Sequence, residues 1–593
     1  MRQAPRTPWE RLHNLLRMPS GRLQTGDLFL AILIGAGAGY GAVCFRYALR
    51  LMQWVFYRHG QDVLSWIHDV PWWQKLLLPA LGGLVAGVII EFFAKEAKGH
   101  GVPEVMEAIA LKGGRIRKRV AVAKIVASAV TIGSGGSVGR EGPMVQIGSS
   151  LGSLVGQVFH VPTLHMRTMV GCGAAAGIAA TFNAPIAGVL FALEIIIGDF
   201  GLMSFSPVVL SSVTATSIAR YYFGDLPAFV IPAYSVESLW EFCFYPVLGV
   251  CCALTALSFT LTLYKAEDFF EALPMPGWLK PALGGVGLGA VVLVFPYIFG
   301  VGYGSMNLSL TNQLPLWLLF TLIWVKIAAT SITLGSGASG GIFAPSLFIG
   351  AMTGGAFGSL LHLVWPGVTA QPGAYALVAM GGVVAGTTYA PITAILIIFE
   401  LTNTYSIILP LMLTCITATV LASSLKRGSI YTTKLMRRGI DIEAGRERSI
   451  LRSMLVREVM QSGIPTLPES ADLERILFTF KTDNAPYLHM VDEAGRLTGV
   501  ISFRDIRSVL HEEGLAHLVV AKDLATCTPE VVTPDDTLQE VLDRITRRGV
   551  SQLPVVESLE NMLPLGAVTE HRVGLAYNQA LARREMSEGP GQG

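Results

Sequence analysis

Arg140 and Glu141 stand side by side in the glycine-rich stretch GSGGSVGREGP, residues Gly133 to Pro143, inside an otherwise apolar part of the chain. Between Ala121 and Ala219 the only charged side chains are Lys124, Arg140, Glu141, Arg167, Glu194 and Asp199, which puts Glu141 at membrane depth. A carboxylate there costs about 2.5 to 3.5 kcal/mol on insertion scales, so it needs a special reason to exist. Glycines packed this densely break a helix and bare its amides, which membranes tolerate only against protein or a watery cavity. The stretch reads as the wall of a pathway.

The elements that must hold this stretch are membrane spans. Of 593 residues 52% are hydrophobic and only 15% charged, and the mean hydropathy is +0.52, so the chain is a polytopic membrane protein. A formal net charge of +2 argues against a nucleic-acid partner. Seven scattered cysteines show no CxxC and no metal spacing and read as reduced packing residues. The first 25 residues carry five arginines without an apolar core, so they read as an amphipathic arm on the cytoplasmic side and not as a signal peptide. Apolar runs at Asp27 to Tyr57 and Gln74 to Phe93 are long enough to span. Gly99 to Leu111 is too short; with Arg115, Arg117, Lys118 and Arg119 behind it, it suits a half-helix ending at the cytoplasmic headgroups.

A duplication accounts for the irregular spans. GSGGSVGREGPMVQIG (Gly133 to Gly148) aligns without gaps with GSGASGGIFAPSLFIG (Gly335 to Gly350) at an offset of 202, matching at eight of sixteen positions. Lys124 falls on Lys326 at the same offset, and APIAGVLFALE (Ala184 to Glu194) on APITAILIIFE (Ala390 to Glu400) at a slightly larger one. Two membrane halves with matching glycine-broken segments are the mark of a transporter fold with its site between the repeats. The halves are expected at about 26–222 and 237–435 of a 26–440 membrane domain, followed by a 441–453 linker. A second repeat follows, with units at 454–515 and 516–580 that each read strand, helix, strand, strand, helix, and a flexible tail at 581–593.

GHGVPE at Gly99 to Glu104, GREGP at Gly139 to Pro143, GIFAP at Gly341 to Pro345 and Tyr431 after the last span together resemble the CLC family of chloride channels and chloride/proton exchangers. The resemblance covers roughly residues 27 to 440, and GVISFRDI at Gly499 to Ile506 resembles a CBS domain. It implies an all-α membrane domain of inverted repeats with broken helices plus a cytosolic α/β CBS pair. It also implies a homodimer with one pathway per subunit, in an inner (plasma) membrane with both termini cytoplasmic. Carried onto this chain, the family pattern assigns the amides of Ile342 and Phe343 and the hydroxyl of Tyr431 to a central anion site. The amides around Gly139, Arg140 and Glu141 fall to an outer one. Glu141 is then the gate: ionised, it mimics the anion among those amides; protonated, it swings away and carries a proton.

Two positions depart from the pattern. Where the family commonly has serine in its first glycine motif this chain has His100, which either donates an N–H to the anion or turns its ring toward water while backbone amides bind. Exchangers usually carry an inner glutamate and an accompanying carboxylate where this chain has Ile195 and Met106. Glu194 is a candidate for a substitute proton route, although Glu400 at its repeat-equivalent position favours a structural role for both. Lys124 and Lys326 are expected to snorkel or cap, and Trp72 and Trp73 to anchor at the interface. Ser502 and Asp505 fit the Ser/Thr-x-x-Asp pattern that holds a nucleotide ribose in many CBS domains, but the second unit pairs Thr569 with Arg572. An adenine-nucleotide sensor and a packing module without ligand both remain open, and no cofactor is required.

The leading expectation is a proton-coupled anion antiporter gated by Glu141, not an enzyme, with chloride or a similar small anion, protons and lipid as its partners. The alternatives are a passive voltage- or pH-gated chloride channel of the same fold, favoured by Ile195 and Met106, and a membrane sensor working through the CBS pair.

Overall fold

The computed structural model describes residues 25–59, 63–225, 229, 238–440, 451, 454–483, 485–507, 518–527 and 529–587. The N-terminal arm, most of the 441–453 linker and residues 588–593 lie outside them. The chain divides into two compact units, 1–439 and 440–593.

The first unit is helical. Six of its described helices are long and apolar enough to cross a membrane, among them Gly26–Tyr57, Glu241–Ala272 and Phe343–Val364. Between them lie short helices such as Val102–Leu111 and Tyr303–Leu310, too short to span, as expected for the first of these. Trp72 and Trp73 are exposed at the start of the helix Trp72–Phe93.

The repeat shows as contacts exchanged between equivalent residues of the two halves. Helix Trp72–Phe93 packs on its counterpart Lys280–Val294. A Cβ on Gly83 would fall 2.2 Å from the Pro281 carbonyl oxygen and one on Gly285 2.3 Å from that of Pro79, so only glycine permits this approach on either side. Lys124 and Lys326 do not snorkel: both are fully buried and cap carbonyls. Lys124 Nζ donates to Ala97 O at 3.0 Å and Gly99 O at 2.8 Å, and Lys326 Nζ to Ile298 O at 3.2 Å and Gly300 O at 3.0 Å. Broken segments leave carbonyls without helical partners, and one ammonium in each half satisfies them. The two repeat-equivalent glutamates also trade places. Glu194 accepts from the Thr393 amide and hydroxyl at 2.7 and 2.6 Å, and Glu400 from the Ala187 and Ile186 amides at 2.7 and 3.0 Å. Each thus caps a helix of the other half, Pro391–Thr402 or Pro185–Phe191, where a carboxylate meets unpaired amides and the positive end of the dipole.

The second unit holds two three-stranded sheets. One joins Thr466–Pro468, Tyr487–Val491 and Leu497–Ser502, flanked by the helix Leu473–Asp483. The other joins Gln552–Val556 and Pro564–Thr569 to Gln461–Ser462, which precedes the first CBS repeat's own strands. The expected first strand of the second CBS repeat reduces to a single bridge between Val532 and Val555, and the strand borrowed from upstream completes the sheet. The helix Glu570–Ser587 continues through 581–587, a run of good helix formers.

Candidate functional site

Three broken segments meet between the halves. Gly139 N–H donates to Gly341 O at 2.7 Å and Gly341 N–H to Gly139 O at 2.6 Å, an antiparallel bridge between residues equivalent in the repeat. Gly99 joins them, its N–H on Ala338 O at 3.1 Å and its carbonyl accepting from Gly340 N–H at 3.3 Å. Each segment then starts a helix, at Val102, Glu141 and Phe343, with Gly101, Arg140 and Ile342 as N-caps. None of the three caps supplies a side-chain hydrogen bond, so the first-turn amides are left to whatever lies in front of them. The helix ends are in contact: a Cβ on Gly142 would sit 2.3 Å from His100 O and 3.0 Å from Gly341 Cα. Several N-termini facing one point make a positive pole with no cation at its centre.

Glu141 lies in this pole, fully buried. Its Oε1 accepts from the Tyr303 hydroxyl at 3.3 Å, while Oε2 lies over Gly139, directed at the backbone around Ala344, without a hydrogen bond of ordinary geometry. Arg140 places its guanidinium 5.2 Å from the centre of the Tyr303 ring. Ile342, Phe343 and Tyr431 are all buried, Phe343 packs its ring on Phe182, and Tyr431 sits 5.7 Å ring to ring from His100. The structure thus brings His100, Gly139, Arg140, Glu141, Ile342, Phe343 and Tyr431 into one neighbourhood. The view of His100 as turned to water is corrected: the residue is 4% exposed and its Nδ1 is buried without a partner. Its ring lies against that of Tyr431.

Glu194 is engaged in its capping role, and Met106 and Ile195 are both buried. Tyr303 escaped the sequence reading, although GVGY at Gly300 to Tyr303 repeats GHGV at Gly99 to Val102 and both of its glycines keep positive φ. Arg46 and Arg50 also escaped it, although arginines one turn apart in an apolar span were signal enough. They line a cavity of about 420 Å³ with Arg140, Arg220, Tyr297 and Tyr303. Glu104, partly buried and paired with Lys434 at 2.8 Å, ties the first glycine motif to the helix that follows Tyr431.

A family model described as voltage gated chloride channel matches residues 82–423, and a CBS domain model matches 456–512 and 521–573. The chain belongs to the voltage-gated chloride channel, or CLC, family. A putative chloride channel protein ClcB-like from Ralstonia nicotianae is 38% identical over 415 residues, 69% of this chain and 96% of that protein. The H(+)/Cl(-) exchange transporter ClcA of Cronobacter sakazakii is 33% identical over 431 residues, 71% of this chain and 91% of that one. Among solved structures, a slow cyanobacterial Cl−/H+ antiporter matches with a TM-score of 0.63 at 29% identity, covering 70% of this chain and 99% of that one. A eukaryotic CLC transporter shares the fold across 92% of this chain and 97% of its own, with a TM-score of 0.60 at 20% identity. The CLC fold and the CBS pair are therefore both present, as the sequence implied.

In the CBS pair, Asp505 Oδ2 accepts from the Ser502 amide at 2.8 Å and hydroxyl at 2.7 Å. Those two residues thus start the short helix Phe503–Ile506 as a capping box. At the corresponding place in the second unit the Arg572 amide donates to the Thr569 hydroxyl at 3.3 Å, and the Arg572 guanidinium to Val459 O at 3.3 Å.

Proposed function

We propose that this protein carries chloride across an inner (plasma) membrane in exchange for protons, with Glu141 as the gate that couples them. The observation that carries the reading is the buried Glu141 carboxylate at the start of its own uncapped helix, directed at the backbone that opens the Phe343 helix, where an anion would otherwise sit. Ionised, it occupies the amides; protonated, it gives up its attraction to them and to the Tyr303 hydroxyl and leaves the path to the anion. Binding by amide dipoles is favourable without trapping the anion, which conduction requires. The Ile342 and Phe343 amides, the Tyr431 hydroxyl and His100 serve the central position, and the backbone from Gly139 to Glu141 the outer one. The unpartnered Nδ1 of His100 favours a ligand role for it, and the name of the Cronobacter relative supports exchange. The subunits pair as homodimers, with both termini cytoplasmic, and the CBS pair takes an adenine nucleotide at Ser502 and Asp505.

A passive chloride channel is the second reading. It is favoured by the buried apolar pair Met106 and Ile195 and by the capping that occupies Glu194. Purified protein in liposomes separates the two: a chloride gradient drives protons uphill in an exchanger, whereas in a channel the potential follows chloride alone.

A further inference from the structure

The cavity of about 420 Å³ beside the gate gathers guanidinium groups from three helices. Arg46 and Arg50 lie one turn apart on Thr25–Tyr57, Arg140 caps the Glu141 helix, and Arg220 ends Leu202–Phe223. Arg220 is engaged locally, donating to Asn183 Oδ1 at 2.7 Å and pairing with Asp225 at 3.1 Å. Arg46 is held differently, by a ring, and Arg140 by the Tyr303 side chain and the charge of the neighbouring Glu141. The Arg46 guanidinium lies 4.0 Å from the centre of Phe223 and that of Arg140 lies 5.2 Å from the centre of Tyr303. Arg50 reaches the Phe223 ring too, at 5.9 Å, and Arg46 feels the charges of both Arg50 and Arg140. Among the described residues no aspartate or glutamate lines the cavity, and Arg140 Nε is buried without a hydrogen-bond partner.

Stacking steadies the Arg46 guanidinium while leaving its N–H donors and its charge uncancelled. Like charges held together in this way repel one another until an anion joins them. One chloride cannot satisfy several planar forks, but a tetrahedral dianion offers oxygens for bidentate pairing with more than one. The volume falls within the range of about 300 to 1,000 Å³ typical of small-molecule sites. We propose that the cavity is a binding site for a divalent oxyanion, sulfate or inorganic phosphate, held between Arg46 and Arg140 with Arg50 at its rim. The bound dianion cancels the field that draws monovalent anions toward Glu141, and so slows their entry from that side. The slowing rests on the transport reading above; the binding does not.

The test is calorimetric titration of sulfate into the purified full-length protein at constant ionic strength, paired with chloride flux in planar bilayers with sulfate added to one face and then the other. Wild type is expected to bind sulfate, and Arg46→Gln and Arg50→Gln each to weaken that binding by about tenfold or more, the loss of one charge-assisted pair. Arg46→Lys, which keeps the charge without the fork, is expected to fall between them. Sulfate should slow wild-type flux from one face only, and the slowing should vanish in Arg46→Gln. Equal sulfate affinity in wild type and in both glutamine variants, each shown folded by its melting temperature, overturns the proposal, as does no binding to wild type. Arginine-dependent binding in a protein that moves no chloride overturns the transport reading and leaves the site standing.

Discussion

In the first half of the membrane unit the chain leaves a helix at Gly133, turns through Gly135 at φ 112° and enters the next helix by way of Arg140 at φ −94°, ψ −12°. In the second half it leaves at Gly335, turns through Gly337 at φ 100° and enters by way of Ile342 at φ −102°, ψ −10°. Ser134 and Ser336 donate to the carbonyls of Thr131 and Thr333 at 3.1 and 2.9 Å. The backbone is the same twice over, and what differs is that one helix begins with Glu141 and the other with Phe343. Two-fold repetition builds a cradle of amides; a carboxylate in one half only gives that cradle something a proton can change.

The sharpest way to break this comparison is to disturb the backbone. Gly142→Ala puts a Cβ against His100 O and Gly341, and is expected to cut chloride efflux from liposomes by more than about tenfold. Phe343→Ala, which removes a ring and keeps the amide, is expected to hold efflux within about threefold of wild type. The reverse order would mean that side chains, not amides, form the path.

Next in size come the paired lysines. Lys124→Met and Lys326→Met each strip a donor from two buried carbonyls, and each is expected to cost about 2 to 3 kcal/mol in detergent melting experiments. Costs that differ by more than about 1 kcal/mol between the two variants would show that the halves are not equivalent in packing.

Much of this symmetry was legible in the sequence, because glycine, serine and proline at fixed positions encode the turn itself and repeat without gaps. Charge at membrane depth singled out Glu141 for the same reason, since lipid makes it expensive. Less legible was anything that depended on which elements touch. Tyr303 reaches Glu141 from a segment far away in sequence, and the Glu194 carboxylate reveals its partner, Thr393, only when the halves pack. His100 was ambiguous because one residue type suits both a wet surface and a buried site. In the CBS pair, alternation marked the strands but could not say that Gln461–Ser462 would join the second sheet.

The exchanged caps sharpen the comparison at a smaller scale. Glu194→Gln and Glu400→Gln are each expected to lower stability by about 1 kcal/mol through loss of a charged cap, and to leave the ratio of protons to chloride unchanged. A changed ratio in Glu194→Gln alone would give that residue a share of the proton route.

The CBS units repeat the lesson with the smallest effect. His489 is the third residue of its strand, where the second unit has Pro554. Burial pushes the His489 imidazole down from its usual 6.5 to about 4, so the folded unit holds it neutral. Protons therefore bind the unfolded state preferentially: the contribution is complete above pH 6.5 and is lost as pH falls toward 4. Between pH 7 and pH 6 about 0.7 kcal/mol should go, read by hydrogen exchange of the Tyr487–Val491 amides in the full-length protein. His489→Leu should flatten that slope, and an unchanged slope would assign it to other groups.

The central claim is that Glu141 makes the doubled cradle a proton-coupled one. The measurement that tests it is proton and chloride flux through wild type and Glu141→Gln in liposomes, at several pH values and under a chloride gradient. The account predicts that wild type moves protons uphill, and that the variant passes chloride at a pH-independent rate with proton movement reduced at least about tenfold. Proton movement and pH dependence unaltered by Glu141→Gln would contradict it.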